Sequence, residues 1–284
     1  MSSQSVSSQQ LAGKVAFITG VARGQGRAHA LRLAAAGADI VGADICGQID
    51  GVGYPMATPD DLAETVKLVE ETGRRIVVGE ADVRDVTSMD AVYRSGLDAF
   101  GRLDFVIANA GIMPIFGERS RERAAWDLCL DVMLTGVLNT VELTYRQIVE
   151  QGDGGSIVIT SSMAALLPMM RTEYRHTFGM LGYSAAKAAL VNLARNYASI
   201  LAVHRIRVNT VHPTGVDTPM INNSLVTDSY DTMPAEDMNL SANAIPIRAV
   251  DADDIAAAVL WLCSDDSRFY TGNAMRVDAG ASLR

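Results

Sequence analysis

The sequence predicts a single-domain, doubly wound α/β fold built on a parallel, seven-stranded sheet. Short apolar runs rich in β-branched residues alternate with helical patterns from residue 14 to the C-terminus. This βαβα order is typical of parallel sheets with helices on both faces. The strand runs do not alternate apolar with polar residues, which indicates that both faces of the sheet are buried. No linker or internal repeat divides the chain, so residues 13–284 are predicted to form one domain.

The predicted strands and helices follow one another in a regular order. Buried strands are expected at 15–19, 39–44, 75–82, 104–110, 156–162, 206–213 and 273–278. Helices are expected at 29–37, 58–73, 85–100, 125–150, 183–202 and 252–263. The second helix has the clearest bounds. Thr58 offers a capping hydroxyl, Pro59 suits the first helical position, and Gly73 suits the left-handed residue that ends a helix.

The composition excludes several kinds of partner. The formal net charge of −9 disfavours binding to nucleic acid or to an anionic membrane surface. The apolar run Ile255 to Cys263 spans nine residues, whereas a membrane-spanning helix needs about 20. The N-terminal MSSQSVSSQQ lacks the basic and apolar regions of a signal peptide, so residues 1–12 are expected to form a disordered polar tail.

The cysteines and histidines indicate neither a disulfide framework nor a metal site. Cys46, Cys129 and Cys263 are far apart in the sequence, and no CxxC pair occurs. The four histidines show no metal-ligand spacing. Because reduced thiols are typical of the cytoplasm, we expect a cytoplasmic protein that binds no metal.

A glycine-rich turn follows the first strand, where residues 19–26 read TGVARGQG. Glycine permits a tight turn and a close approach to a pyrophosphate, and the helix that follows presents free N–H groups to the anion. Asp44 ends the second strand, where a carboxylate can bind the adenosine ribose and repel a 2′-phosphate. Arg23 favours NADP, but Asp44 is followed by Ile45 rather than by a basic residue. A Rossmann-type site for NAD is therefore predicted.

The segment YSAAK places Tyr183 four residues before Lys187. Residues at this spacing share one face of a helix, so the phenol and the ammonium can point into the same space. A solvated helix face could carry such a pair without any function. The other motifs must decide between these interpretations.

With the glycine turn, Asp44 and the Tyr–Lys pair together, the chain resembles the short-chain dehydrogenase/reductase superfamily from about Gly13 to the C-terminus. The resemblance implies a catalytic set of Ser162, Tyr183 and Lys187. It also implies that NAD contacts Gly20, Arg23, Gly24, Gln25, Gly26, Asp44, Ile45, Asp82, Val83, Asn109, Ala110, Gly111, Tyr183, Lys187, Pro213, Gly215, Val216 and Thr218.

Residues 46–58 form an insert after the second strand that is longer than most members of the superfamily have. With RGQGR at 23–27 and HPTGVDTPM at 212–220, it resembles the mycofactocin-associated, carveol-dehydrogenase-like subgroup. This narrower resemblance implies oxidation of secondary alcohols by NAD that the protein retains, with reoxidation through mycofactocin or another external electron acceptor. The superfamily implies a homotetramer, assembled through the helices expected at 125–150 and 183–202.

Two departures from the superfamily pattern affect the expected site. Met133 stands where the superfamily has an asparagine that is believed to hold a water between the lysine and solvent, and a thioether is only a weak acceptor. Ser162 and Tyr183 are 21 residues apart, which is more than the superfamily usually has. The additional residues between them are expected to form part of a substrate wall.

Three further groups of residues are expected to shape the binding sites. Six methionines can either fill the core or line a pliable pocket for a bulky hydrophobic alcohol, such as a terpenoid or steroid: Met113, Met163, Met169, Met170, Met180 and Met220. Residues 217–245, rich in Asn, Ser and Asp, are predicted to form a mobile substrate lid. Within the insert, the residues predicted to cover the adenosine end of NAD are Ile49, Val52, Tyr54 and Pro55.

The favoured function is that of an NAD-dependent alcohol dehydrogenase. Tyr183 would take the hydroxyl proton, and Ser162 would bind the substrate oxygen. Lys187, together with the positive nicotinamide, would lower the pKa of the phenol. An NADPH-dependent ketoreductase is disfavoured by Asp44 and by the acidic surface, which would repel an acidic carrier protein. A non-catalytic NAD-binding sensor or scaffold is favoured only by Met133.

Overall fold

The computed structural model describes residues 9–170, 172–240 and 242–283. Its strands are β1 (Val15–Thr19), β2 (Asp39–Asp44), β3 (Ile76–Glu80), β4 (Phe105–Ala108), β5 (Gly155–Thr160), β6 (Ile206–Pro213), β7 (Val216–Asp217), β8 (Val250–Asp251) and β9 (Ala274–Val277). Seven of them form one parallel sheet in the order β3-β2-β1-β4-β5-β6-β9, and β7 pairs separately with β8. The predicted fold class is confirmed.

Helices cover both faces of this sheet. They are α1 (Gly24–Ala35), α2 (Pro59–Glu71), α3 (Val86–Phe100), α4 (Arg123–Leu130), α5 (Gly136–Gln151), α6 (Phe178–Leu201), α7 (Ser224–Asp231), α8 (Ala235–Leu240) and α9 (Ala252–Cys263). Every residue of β1 and β2 is buried. Phe17 packs into one core layer and its neighbour Ile18 into the other. Because both layers are apolar, the strands read as continuous apolar runs.

Several predicted helix boundaries were wrong. The first helix begins at Gly24 rather than at 29, directly after the glycine turn. The helix predicted at 183–202 begins at Phe178, because the Thr177 hydroxyl accepts a hydrogen bond from the Met180 N–H at 3.0 Å. The helix predicted at 125–150 is divided into α4 and α5 by a π-helical turn at Asp131–Thr135. Helices α7 and α8 lie within the predicted lid, where no helix was expected.

The bounds predicted for α2 are confirmed. The Thr58 hydroxyl accepts a hydrogen bond from the Asp61 N–H, and the Asp61 carboxylate accepts one from the Thr58 N–H. Pro59 is the first helical residue, and Gly73 has φ +79°, the left-handed conformation that ends the helix.

The N-terminal tail was predicted to be disordered over residues 1–12, of which 1–8 lie outside the described residues. The prediction is wrong for 9–12. These residues form a turn in which Leu11 is only 2% exposed, and the Leu11 N–H donates to the Ala36 carbonyl at 2.8 Å. Packing of one leucine against the end of α1 therefore holds the chain before β1.

The helical stretch Arg123–Gln151, counted through the π turn, is long and apolar enough to cross a membrane by length and composition, with a mean hydropathy of 1.3. The sequence prediction did not identify it. Its apolar side packs inside the domain, where Cys129, Val141 and Ile148 have no exposed surface. The stretch is thus a core helix of the α/β fold.

Candidate functional site

The glycine turn lies at the carboxyl ends of β1 and β4, where the strand order reverses. Gly20 and Gly24 have φ values of +70° and +55°, which favour glycine. A Cβ on Gly26 would lie 1.8 Å from the Gly20 carbonyl oxygen, and one on Gly20 would lie 2.9 Å from the Ala110 Cα. The turn therefore requires these glycines, and it leaves the N-terminus of α1 facing a cleft.

This cleft, called here the cofactor cleft, collects most of the residues predicted to contact NAD. It is lined by Gly20, Arg23, Gly24, Gln25, Gly26, Asp44, Ile45, Asp82, Val83, Asn109, Ala110, Gly111 and Thr218. The other predicted contacts lie elsewhere. Pro213, Gly215, Val216 and Tyr183 line the adjoining larger cavity. Lys187 is 4% exposed and lines neither space.

Asp44 is buried at the edge of the cofactor cleft. Its carboxylate accepts hydrogen bonds from the Ala22 N–H at 2.9 Å and from the Cys46 N–H at 3.1 Å. The side chain therefore fixes both the glycine turn and the start of the insert. A carboxylate has about four lone-pair sites, so it retains acceptor capacity for a hydroxyl in the cleft.

Asn109 joins the ends of three strands at the centre of the sheet. Its amide nitrogen donates to the Thr19 carbonyl at 3.1 Å, and its amide oxygen accepts from the Thr160 hydroxyl at 3.2 Å. Asp82, on the other wall of the cleft, is held by the guanidinium of Arg84 through both carboxylate oxygens. These contacts give the cleft a rigid floor and leave Asp82 oriented towards it.

The insert forms a wall of the cofactor cleft, but with partly different residues from those predicted. Ile49 and Tyr54 line the cleft as expected, together with Met56 and Ala57. Val52 packs in the hydrophobic core instead. Pro55 contributes its carbonyl, which accepts from the Arg23 guanidinium at 2.6 Å.

Tyr54 ties the insert to the other side of the cleft. Its hydroxyl accepts a hydrogen bond from the Met113 N–H at 3.1 Å, and the side chain is only 4% exposed. Asp50 and Arg119 form a further, exposed ion pair through two contacts. The insert is thus fastened at these two points, and Tyr54 reaches the side of the cleft next to the larger cavity rather than the adenosine end, because Met113 lines that cavity.

Ser162, Tyr183 and Lys187 meet where β5 ends and α6 begins. Ser162 and Tyr183 both line the larger cavity. The Lys187 Nζ lies 5.9 Å from the centre of the Tyr183 ring and donates to the Thr160 carbonyl at 2.8 Å. The Ser161 hydroxyl donates to the Lys187 carbonyl at 2.8 Å, which fixes α6 against the end of β5. The structure therefore brings the three predicted catalytic residues together.

Burial dominates the electrostatics of this group. It lowers the pKa of Lys187 to about 8. It raises the pKa of Tyr183 above the ordinary value of 10, while a hydrogen bond with Ser162 acts in the opposite direction. The expected lowering of the Tyr183 pKa is therefore not produced by the protein's own groups. Burial in a site of low dielectric disfavours the phenolate more than the neighbouring side chains favour it.

Met133 lies in the π-helical turn and has no exposed surface. A Cβ added to Gly111 would lie 3.8 Å from the Met133 Cγ and 3.7 Å from the Lys187 Nζ, so Met133 and Lys187 both pack against the face of Gly111 that has no side chain. Met133 lines neither the cofactor cleft nor the larger cavity. It fills space near Lys187, and its only polar atom is a thioether sulfur, which is a weak acceptor.

The larger cavity, called here the substrate cavity, has a volume of about 720 Å³. The methionines in its lining are Met113, Met163, Met169, Met180, Met220 and Met238. Five of these were predicted; Met170 is not in the lining. The predicted lid contributes Val226 and Tyr230, and the additional segment before Tyr183 contributes Arg175.

Sequence reasoning missed two parts of the cavity wall. Ile115 and Phe116 follow β4 closely, so their position after a strand's carboxyl end could have identified them. The cavity wall also includes Arg248, which lies beyond the predicted lid, and Asn243, which lies within it. They reach it because residues 242–248 fold back against the C-terminal segment, where the Ala244 N–H donates to the Ala279 carbonyl at 3.0 Å. No local pattern predicts that contact.

Comparisons with known proteins agree with this geometry. A family model described as enoyl-(acyl carrier protein) reductase matches residues 20–282. An uncharacterized oxidoreductase of Mycobacterium tuberculosis, MT2820, is 51% identical over 271 residues, covering 95% of this chain and 96% of the relative. The (−)-trans-carveol dehydrogenase of Rhodococcus erythropolis is 41% identical over 280 residues, covering 96% and 98%.

A solved structure gives the same result at the level of the fold. Carveol dehydrogenase from Mycobacterium avium, crystallised in complex with NAD, superposes with a TM-score of 0.88 and 41% identity. The match covers 97% of this chain and 100% of that chain. Sequence and fold agree over nearly the full length, and the chain belongs to the short-chain dehydrogenase/reductase family.

Proposed function

We propose that this protein oxidises a bulky, hydrophobic secondary alcohol to a ketone, with NAD as the hydride acceptor. One observation carries the proposal: Ser162 and Tyr183 open onto a large, methionine-rich cavity that adjoins the cofactor cleft and shares Gln25, Thr218 and Met220 with it. A substrate in this cavity would have its hydroxyl at the boundary between the two spaces. The carveol dehydrogenase relatives support this class of substrate.

The residues of the cofactor cleft fit NAD. The glycine turn leaves no room for side chains where a pyrophosphate would approach, and Asp44 keeps acceptor capacity for ribose hydroxyls. The same carboxylate would repel the 2′-phosphate of NADP. When bound, NAD takes up the hydride that leaves the carbinol carbon of the alcohol.

Tyr183 acts as the general base. Its phenolate oxygen takes the hydroxyl proton as the hydride leaves, so that the C–O single bond becomes the carbonyl of the product. Ser162 donates a hydrogen bond to the same oxygen and holds it beside the phenol. The buried Lys187 ammonium favours the phenolate, and the positive nicotinamide ring offsets the burial that raises the pKa of Tyr183.

The protein retains its NAD between turnovers. The insert covers the cofactor cleft through Ile49 and Tyr54, and the latter is bonded across to Met113. An external electron acceptor, mycofactocin or a compound of similar redox chemistry, then reoxidises the bound cofactor in the cytoplasm. The substrate is a terpenoid of the carveol kind or a larger ring system, since a cavity of about 720 Å³ lies in the upper part of the ~300–1,000 Å³ range typical of ligand pockets.

Replacement of the proposed base tests this function. Tyr183→Phe keeps the ring and removes only the proton acceptor. We therefore expect it to abolish hydride transfer from (−)-trans-carveol in a single-turnover assay while NAD stays bound. Tyr93→Phe is the matched control, because Tyr93 lies in the core beside Phe17. Substantial single-turnover activity in Tyr183→Phe would remove Tyr183 from the mechanism.

The same assays separate the alternative functions. A ketoreductase would reduce a carbonyl compound with NADPH faster than it oxidises any alcohol with NAD. A sensor or scaffold would bind NAD and transfer no hydride to or from it with any compound in a panel of secondary alcohols and ketones. No structural feature supports either alternative as strongly as the substrate cavity supports alcohol oxidation.

A further inference from the structure

His212 is a buried polar residue that the mechanism does not yet use. It is the penultimate residue of β6 and has no exposed surface. Its Nδ1 lies 2.8 Å from the Ser162 carbonyl oxygen, and its Nε2 lies 2.7 Å from the Thr210 hydroxyl. The imidazole therefore links β6 to Ser162, the residue proposed to bind the substrate oxygen.

The partners of the ring fix its tautomer. A carbonyl oxygen can only accept a hydrogen bond, so Nδ1 carries the proton and donates to Ser162. Nε2 of the neutral ring accepts from the Thr210 hydroxyl. Burial lowers the pKa of His212, which agrees with a neutral ring at pH 7. Both ring nitrogens are thus satisfied inside the protein.

The backbone explains why a side chain is needed at this point. The Ser161 N–H donates to the Val211 carbonyl at 2.9 Å, which is the last rung between β5 and β6. Pro213 stands where β6 would donate the next backbone hydrogen bond, and proline has no N–H. The ladder stops there, so no backbone group of β6 holds Ser162. Within its own turn the Ser162 carbonyl accepts from the Ala165 N–H at 3.1 Å. The His212 side chain supplies the second donor to this carbonyl and ties it to β6.

We propose that His212 is a positioning residue that holds Ser162 in register with the Pro213–Thr218 segment, through the hydrogen bond from Nδ1 to the Ser162 carbonyl. The inference rests on the proposed function of Ser162. The Ser162 hydroxyl also accepts from the Ala164 N–H at 3.1 Å, so the direction of the hydroxyl depends on the path of this short turn. Loss of the carbonyl contact would let the turn, and with it the oxygen-binding hydroxyl, move relative to the hydride acceptor.

A pair of substitutions distinguishes a positioning role of His212 from a role in which its ring only fills space. His212→Leu removes the donor, whereas His212→Asn places an amide N–H near the position of Nδ1. We expect His212→Leu to lower the single-turnover rate with (−)-trans-carveol on the order of tenfold to a hundredfold, as displacements of reacting groups do. His212→Asn should recover most of that rate, and bound NAD should be unchanged in both. Should His212→Leu fail to fold, His212→Gln replaces it, since its amide reaches towards Thr210 instead.

A double-mutant cycle with Ser162→Ala tests whether His212 acts through the serine. In the Ser162→Ala background, His212→Leu should change the remaining rate by no more than roughly twofold, because the group that it positions is gone. Equal losses in both backgrounds, or a failure of His212→Asn to recover activity, would overturn the inference. Wild-type turnover in Ser162→Ala alone would instead contradict the proposed function of the serine.

Discussion

Asp44 combines two tasks in one carboxylate, because it holds the glycine turn through Ala22 and borders the cofactor cleft. NAD should therefore bind more tightly than NADP, since a like charge against the 2′-phosphate costs several kcal/mol. Asp44→Ala should narrow this preference by about tenfold to a hundredfold. Asp44→Asn is the matched control, because it removes the charge and keeps one oxygen acceptor. Equal dissociation constants for the two cofactors in the unmodified protein, measured by calorimetry, would refute the assignment.

Tyr183 must lose its proton before it can act as the base, and this requirement predicts how the rate of alcohol oxidation depends on pH. Burial raises the pKa of Tyr183 above its ordinary value of 10, and a bound positive nicotinamide would act in the opposite direction. The single-turnover rate should fall about tenfold per pH unit below the pKa of Tyr183 in the complex with NAD. A rate that is constant between about pH 6 and 9 would contradict the assignment of Tyr183 as the base.

Met133 stands where the resemblance to the superfamily leads us to expect an asparagine. Because Met133 is fully buried, lines neither cavity and has only a weakly accepting thioether, a proton path from Lys187 must use other groups. Met133→Asn should then change the single-turnover rate by less than about tenfold, or ~1.4 kcal/mol. It should also destabilise the protein by about 1–3 kcal/mol, since a buried amide there lacks partners. A wild-type protein that oxidises no alcohol, with turnover restored by Met133→Asn, would mean that the water-mediated proton path between Lys187 and solvent had been lost.

Residues in fixed local motifs could be predicted from the sequence. The glycine turn, Asp44 and the Tyr183–Lys187 pair were identified from short spacings. The structure brings the turn and Asp44 to the cofactor cleft and Tyr183 to the substrate cavity, with Lys187 buried beside it. The contact between His212 and Ser162 joins residues 50 positions apart, and no rule of sequence spacing predicts it. Burial raises the pKa of Tyr183, and the sequence does not give the extent of that burial. The lowering expected from Lys187 together with a bound positive nicotinamide stays a prediction.

At the scale of elements, the insert at 46–58 should control how fast NAD leaves. NAD is expected to copurify with the protein and to exchange slowly, because affinity is tuned mainly through the rate of dissociation. Tyr54→Ala should raise that rate by about tenfold or more and change association less. Tyr270→Ala serves as the control, since Tyr270 packs on Trp261 away from both spaces. Protein isolated without nucleotide that turns over rapidly with added NAD would show that the insert is an ordinary surface loop.

The elements that sequence reasoning missed are short and polar. Helices α7 and α8 have eight and six residues, too few to show a helical period. Helix α7 is stabilised by its cap, in which the Asn223 side chain accepts from the Val226 N–H at 3.1 Å, and by burial of Val226 itself. The π turn between α4 and α5 is likewise set by packing around Met133 and Gly136 rather than by propensity.

The whole molecule follows the rule that ligands bind at the carboxyl ends of parallel strands, where the strand order reverses. The prediction of seven parallel strands and of the family is confirmed, because the alternation of elements and the family match both extend over nearly the whole chain. The volume of the substrate cavity could not be predicted. It depends on how the lid, the segment before Tyr183 and the C-terminal segment meet, and these are distant in sequence.

Assembly is the remaining property of the whole molecule, and we predict a homotetramer. Helices α5 and α6 lie side by side, with Tyr145 and Tyr197 ring centres 6.3 Å apart, and they carry exposed apolar residues: Leu138 is 39% exposed and Ile200 is 61% exposed. Burial of these side chains between copies would remove them from water.

Light scattering should therefore give four times the chain mass of 30.3 kDa, and Leu138→Asp should yield a smaller species. Val86→Asp, at an equally exposed valine at the start of α3, should leave the mass unchanged. A monomeric wild-type protein at micromolar concentration would contradict the prediction.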